Sequence, residues 1–158
     1  MSLCLRVLTR KKPDTAFEGS PPRTRIDSDG PRLESAFGAP ARGKFLDEYI
    51  DPKLQPMTMP VYYKCIHRGL PVFTVSSVAD TAGRIVAQER LLLPFASQNR
   101  VDRLLASMKP ISEDGGFEIR NLMGANRKTP AIQLCAVIDT SLFQVSPGAA
   151  KDDDISFS

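Results

Sequence analysis

The spacing of apolar residues divides the chain into short helical turns followed by longer extended runs. Leu3 to Leu8 reads Leu-Cys-Leu-Arg-Val-Leu, enough for a short strand, and Lys11 to Pro22 is rich in Pro, Gly and charge, as a linker is. Arg23 to Ile26 suggests another short strand. Asp27-Ser28-Asp29-Gly30 is a turn signal, because Asp and Ser bond nearby backbone and Gly tolerates positive φ. Pro31 to Phe37 predicts a helix, with Pro in its first turn, Leu33, Ala36 and Phe37 on one face and Gly38 at its end. Gly43 to Ile50 repeats the one-sided pattern through Phe45, Leu46, Tyr49 and Ile50, and Pro52 closes it. A longer helix follows Pro56, with Pro60 expected in its first turn. Tyr62, Cys65, Ile66 and Gly69 share a face, and Gly69-Leu70-Pro71 ends it.

The pattern then changes. Pro71 to Ala79 is rich in Val, Phe and Thr, Thr81-Ala82-Gly83 supplies a turn, and Arg84 to Ala96 continues with Ile85, Ala87, Glu89 and Leu91-Leu92-Leu93. Two such runs around a short Gly turn predict a β-hairpin. Arg100 to Lys109 fits two templates. Val101, Leu104, Leu105 and Met108 fall at helical spacing, whereas Leu104, Ala106 and Met108 alternate as in a strand. Periodicity alone slightly favours the helix. Glu113-Asp114-Gly115-Gly116 reads as a turn. Phe117 to Met123 is moderately apolar without a clear period, and Ala131 to Val145 fits either a final strand or a helix.

Composition narrows the class. The 158 residues suit one domain, with 42% hydrophobic and 25% charged residues, close to the globular average. The net charge of +3 is largely an end effect. Arg6, Arg10, Lys11, Lys12, Arg23 and Arg25 crowd the start, and Asp152-Asp153-Asp154 lies near the end. A nearly neutral body argues against a nucleic-acid partner. No apolar run approaches the ~20 residues of a membrane-spanning helix. The short apolar start carries its basic cluster on the wrong side for a signal peptide. Cys4, Cys65 and Cys135 are too few and too scattered for a disulfide framework or a metal site. These features predict a soluble cytoplasmic domain, with no membrane partner.

The order of these elements resembles the PAS fold, in which helices cross one face of an antiparallel sheet. It is most similar to short bacterial PAS-like proteins. The matching residues are Gly30, Leu33 to Gly38 (Leu-Glu-Ser-Ala-Phe-Gly), Gly43-Lys44-Phe45-Leu46, Pro71-Val72 and Glu89-Arg90-Leu91-Leu92-Leu93-Pro94-Phe95. The resemblance covers roughly Arg23 to Met108. It departs from the family in lacking any Trp and the usual upstream helix. It implies that Arg100 to Met108 is the last sheet strand. The expected fold is therefore α+β, a PAS-like antiparallel sheet with short helices packed across one face. The expected organisation is a flexible basic segment over 1–22, the PAS-like domain over 23–109, an extension packed on or beside it over 110–146, and a disordered acidic tail over 147–158.

A PAS-like domain implies a pocket between helices and sheet, and the resemblance puts Phe37, Phe45, Tyr49, Tyr62, Ile66, Phe73, Val75, Leu91 and Leu93 around it. Plain core packing is the competing account of all nine. No cofactor is expected. The single histidine, His67, sits at a helix end beside Arg68, where interaction with the helix dipole is the simpler role than haem ligation. Cys65 lies outside the Asn-Cys-Arg-Phe motif of flavin-binding PAS domains and suits a buried thiol. Gly115-Gly116 lacks the Lys-Ser/Thr of a phosphate loop. Ser76-Ser77 and Ser141 have no histidine spare to activate them. Asp47 and Glu48 are adjacent on a helix and point apart.

No catalytic residue is expected. The expectation is a stand-alone sensory or regulatory domain that binds a small molecule, with a signalling partner protein or a homodimer carrying the output. The alternatives are an interaction or dimerisation module with a filled core, and a small enzyme on an α+β pocket scaffold. A third, binding of nucleic acid or membrane by the basic start, would depend on residues 1–25.

Overall fold

The computed structural model describes the backbone of residues 3–9 and residues 23–80, 82–97, 100–112, 116–120, 122–123 and 131–139 in full. Among them are three helices and six strands in the order β1 (Leu3–Thr9), β2 (Thr24–Asp29), α1 (Pro31–Phe37), α2 (Leu46–Tyr49), α3 (Gln55–Arg68), β3 (Val72–Ala79), β4 (Ile85–Ser97), β5 (Arg100–Ile111) and β6 (Ala131–Val137). The strands form one sheet, ordered β2-β1-β5-β4-β3-β6, and every neighbouring pair is antiparallel. The fold is α+β, as expected. The sheet reaches beyond 23–109 at both ends. Leu3–Thr9, expected within a flexible segment, lies inside the sheet between β2 and β5. β6, part of the expected extension, pairs with β3 at the edge. The remaining residues of 1–22 and the whole of 147–158 lie outside the described residues, as does Ser141.

Local chemistry accounts for the helix ends. α1 starts on Pro31, and Gly38 ends it in the left-handed conformation (φ 77°), where its N–H donates to the Glu34 carbonyl. α3 ends the same way at Gly69 (φ 63°). α3 begins earlier than expected, so Pro60 lies inside it while Pro56 takes the first turn. Pro60 and Pro56 are both exposed, one turn apart. The bond lost at Pro60 therefore falls on the solvent side, where water can serve the freed carbonyl.

β5 is a strand, in line with the family order and against its helical spacing. Phe95 pairs with Arg103 but Ala96 pairs with Val101, so a bulge inserts Asp102 into the β4–β5 ladder. In a regular strand residues three apart, such as Val101 and Leu104, would point to opposite faces. With the bulge both are buried. A β-bulge has written a three-residue spacing into a strand. The Asp27 to Gly30 segment also departs from expectation: Asp27, Ser28 and Asp29 continue β2, and only Gly30 breaks away, as the residue before α1.

The helices pack on the sheet, α1 near β1, α2 near β2 and α3 across β3, β4, β5 and β6. Between them lies a core that includes Ile26, Leu33, Leu46, Tyr62, Cys65, Val72, Val86, Leu92 and Leu104. Leu122 and Met123 are buried in it too, and the Met123 N–H donates to the Ala36 carbonyl at 2.8 Å, closing the end of α1. The β3–β4 turn is organised by Asp80. Its buried carboxylate accepts from the Ala82 and Arg84 N–H groups at 2.9 Å and from the Arg84 guanidinium at 2.7 Å. Burial alone would push that carboxyl up, but these donors and the Glu118 N–H outweigh it and hold it below its ordinary value.

Candidate functional site

Strand alternation decides which side chains face the helices. In β3 the buried residues are Val72, Thr74, Ser76 and Val78, and opposite them in β4 stand Leu92, Arg90, Gln88 and Val86. Read along either strand, this inner face is apolar at its ends and polar in the middle. Thr74 is 3% and Gln88 2% exposed, so the polar centre is enclosed within the fold.

Above this polar centre the helices leave a recess. Its floor is Thr74, Ser76, Gln88, Arg90 and Met108. Its roof is Phe37 of α1, Leu46 and Tyr49 of α2, Ile50, and Leu54, Met57, Thr58, Val61 and Tyr62 at and within α3. Met123 and Ile132 complete the wall, and Ile132, which is 38% exposed, marks an open side at β6. The free interior is about 40 Å³, room for roughly three waters. Counting the mouth, the atom-free space is about 660 Å³. An apolar wall with a few converging polar groups is the usual make-up of a small-molecule site.

Hydrogen bonds hold the roof in place. The Gln55 amide donates to the Asp47 and Ile50 carbonyls at 2.7 and 3.0 Å, joining the end of α2 to the start of α3. The Tyr49 hydroxyl donates to the Ala39 carbonyl at 3.0 Å, and its ring stacks on Phe37 with centroids 4.7 Å apart. Burial raises the Tyr49 phenol well above its ordinary range. Tyr62 is raised for the same reason, with the nearby Arg90 charge opposing the shift. Both phenols therefore stay protonated at neutral pH.

The floor is less completely satisfied. Gln88 donates from Nε2 to Met108 Sδ at 3.2 Å, a weak acceptor. The Arg90 guanidinium sits 5.8 Å from the centre of the Tyr62 ring. Its Nε is buried and has no hydrogen-bond partner among the described residues. Such an orphan donor costs about 1–3 kcal/mol. The one other such atom among the described residues, Thr24 Oγ1, is on β2 and does not line the recess.

Of the nine expected lining residues, Phe37, Tyr49 and Tyr62 line the recess. The other six do not. Phe73, Val75, Leu91 and Leu93 are on the opposite face of the sheet. Phe73 pairs with Leu91 and Val75 with Glu89 across β3 and β4, Leu93 pairs with Leu105 of β5, and each of the four is half-buried. The resemblance puts these four around the pocket, and a one-residue difference in parity exchanges the faces completely. Ile66 packs against the core at the far end of α3. Phe45 precedes α2 and lies under the Arg23 guanidinium, 3.9 Å from its ring centre. That same guanidinium bonds Asp47 at 3.0 Å and Glu48 at 2.7 Å, so the two acids share a cation. The lining residues missed include Thr74, Ser76, Gln88 and Arg90 on the sheet. Their signal was present as polar residues two apart, centred in otherwise apolar strands.

The remaining candidates fall outside the recess. His67 is exposed in the last turn of α3, beside Arg68. Cys65 is buried, and burial pushes its thiol up to about 11, partly offset by the Val72 backbone. No group of three or more His, Cys, Asp or Glu able to hold a metal occurs among the described residues, nor any helix long and apolar enough to cross a membrane. Comparison of the chain with protein-family models, curated proteins and solved structures gives no match.

Proposed function

We propose that this chain is a PAS-like sensory or regulatory domain that binds a small molecule in the recess between its helices and its sheet, without catalytic activity of its own. The observation that carries the reading is the polar centre of the inner sheet face, open to a recess roofed mainly by apolar side chains. A filled core would place apolar residues there, because burying polar groups costs stability unless they are paired. Helices crossing one face of an antiparallel sheet also agree with the resemblance carried by Leu33 to Gly38 and Glu89 to Phe95.

The lining favours binding over acid–base chemistry. Its ionisable groups are Arg90 and the two phenols, Tyr49 and Tyr62, which stay protonated; no carboxylate or histidine lines the recess among the described residues. Output then passes by association with a signalling partner or a second copy. Native mass spectrometry of the purified protein tests the reading. A copurified small molecule, lost when Ser76 or Thr74 is replaced by a bulky apolar residue, is the expected result. A ligand-free protein that no small molecule stabilises, and that sediments as a dimer, would instead mark an interaction module with a filled core.

A further inference from the structure

The recess has one formal charge on its floor, and its chemistry selects the ligand. Arg90 and Gln88 stand two residues apart on β4, both facing inward, with Thr74 and Ser76 opposite them on β3. The floor is thus a guanidinium, an amide and two hydroxyls. No acidic side chain bonds Arg90 among the described residues, and its buried Nε is unpaired. Tyr62, the nearest aromatic, meets the guanidinium through its ring. A cation in a largely apolar recess that has no counter-charge among the described residues is poorly compensated. A carboxylate matches the guanidinium fork with two parallel hydrogen bonds and supplies the missing charge. The amide and hydroxyls can serve its remaining lone pairs. The roof offers mainly apolar contact to the rest of the molecule, through side chains such as Leu46, Ile50 and Val61, beside the hydroxyl of Thr58. The free interior of about 40 Å³ limits its size.

The geometry points to a small organic carboxylate with a short alkyl chain as the ligand, its carboxylate on Arg90 and its chain under α2 and α3. This rests on the reading of the recess as a binding site, and the test separates the two. Butyrate, butyramide and 1-butanol share one chain, and only butyrate is charged. Each is titrated into the full-length protein at constant ionic strength, and amide shifts of Thr74, Gln88, Arg90 and Tyr62 are followed by NMR. Butyrate is expected to shift these amides with an affinity at least about tenfold above that of butyramide, the margin expected for a charge-assisted bond. Arg90→Met is expected to remove that preference. Should Arg90→Met fail to fold, Arg90→Lys keeps the charge but loses the fork, and is expected to bind butyrate more weakly than the wild type. Equal binding of all three compounds would overturn the carboxylate assignment and leave the recess as a binding site. No shift with any of them would overturn both.

Discussion

The two faces of the β3–β4 hairpin are built from alternate residues of the same strands, yet they differ in both polarity and burial. The inner face carries Thr74, Ser76, Gln88 and Arg90 at its centre and is covered by helices. The outer face carries Phe73, Val75, Leu91 and Leu93 and is only half-buried. Ordinary two-layer packing puts the apolar residues under the helices. Here the inner face keeps that rule at its ends, in Val72, Val78, Val86 and Leu92, and breaks it in the middle. The difference separates two duties. The ends of the inner face supply stability, and on the proposed reading its centre gives up stability for a chemical surface.

The sharpest break of this comparison is at adjacent leucines. Leu92 is fully buried and Leu91, its neighbour, faces the other way. Leu92→Ala is expected to cost about 2–5 kcal/mol in denaturant unfolding, the range for a buried leucine that leaves a cavity. Leu91→Ala should cost about 1 kcal/mol or less, as for a partly exposed site. Equal losses would mean that the outer face is as firmly packed as the core.

A second test concerns the turn that fixes the register between the faces. Asp80 collects the Ala82 and Arg84 N–H groups and the Arg84 guanidinium. Its folded pKa lies below the ordinary value of 3.8. Its contribution to stability is therefore fully present above that pH and is lost as pH falls through the folded value. Asp80→Asn should lower the melting temperature at pH 7, and the gap to the wild type should narrow below pH 3.8. A gap that is the same at both pH values would show that charge plays no part in the turn.

These contrasts also explain what could be read from the residues alone. α1 was legible to its ends because Pro31 and Gly38 act locally, through a fixed φ and a left-handed cap. The β3–β4 hairpin was legible because both strands are rich in β-formers around a Gly turn. The parity of those strands was not: the resemblance implies that Phe73, Val75, Leu91 and Leu93 line the pocket, and nothing local to either strand says which face is inner. Which face the helices cover is settled by packing across the whole chain, not by either strand. β5 misled for a different reason: the bulge at Asp102 depends on its partner strand, so its spacing imitates a helix when read alone. Phe37, Tyr49 and Tyr62 were found because they lie on helices whose apolar stripe has one possible direction. The polar floor escaped because a search for a pocket among apolar residues passes over the polar ones that give it chemistry.

The smallest effect is the most informative about the floor. Gln88 is buried, and its amide Nε2 donates to the Met108 sulfur, a weak acceptor. If the floor gives up stability for chemistry, Gln88→Met should leave stability unchanged or raise it by up to about 1 kcal/mol, because an apolar side chain of similar length replaces a poorly paired amide. The same substitution should weaken butyrate binding, since one donor to the carboxylate is gone. Both changes are read on one sample, by denaturant unfolding and by NMR titration. A loss of more than about 2 kcal/mol would be the ordinary cost of breaking a buried polar network, and would make the floor a structural feature that happens to border a recess. A stable variant that binds more weakly would separate what this face does for the fold from what it does for a ligand.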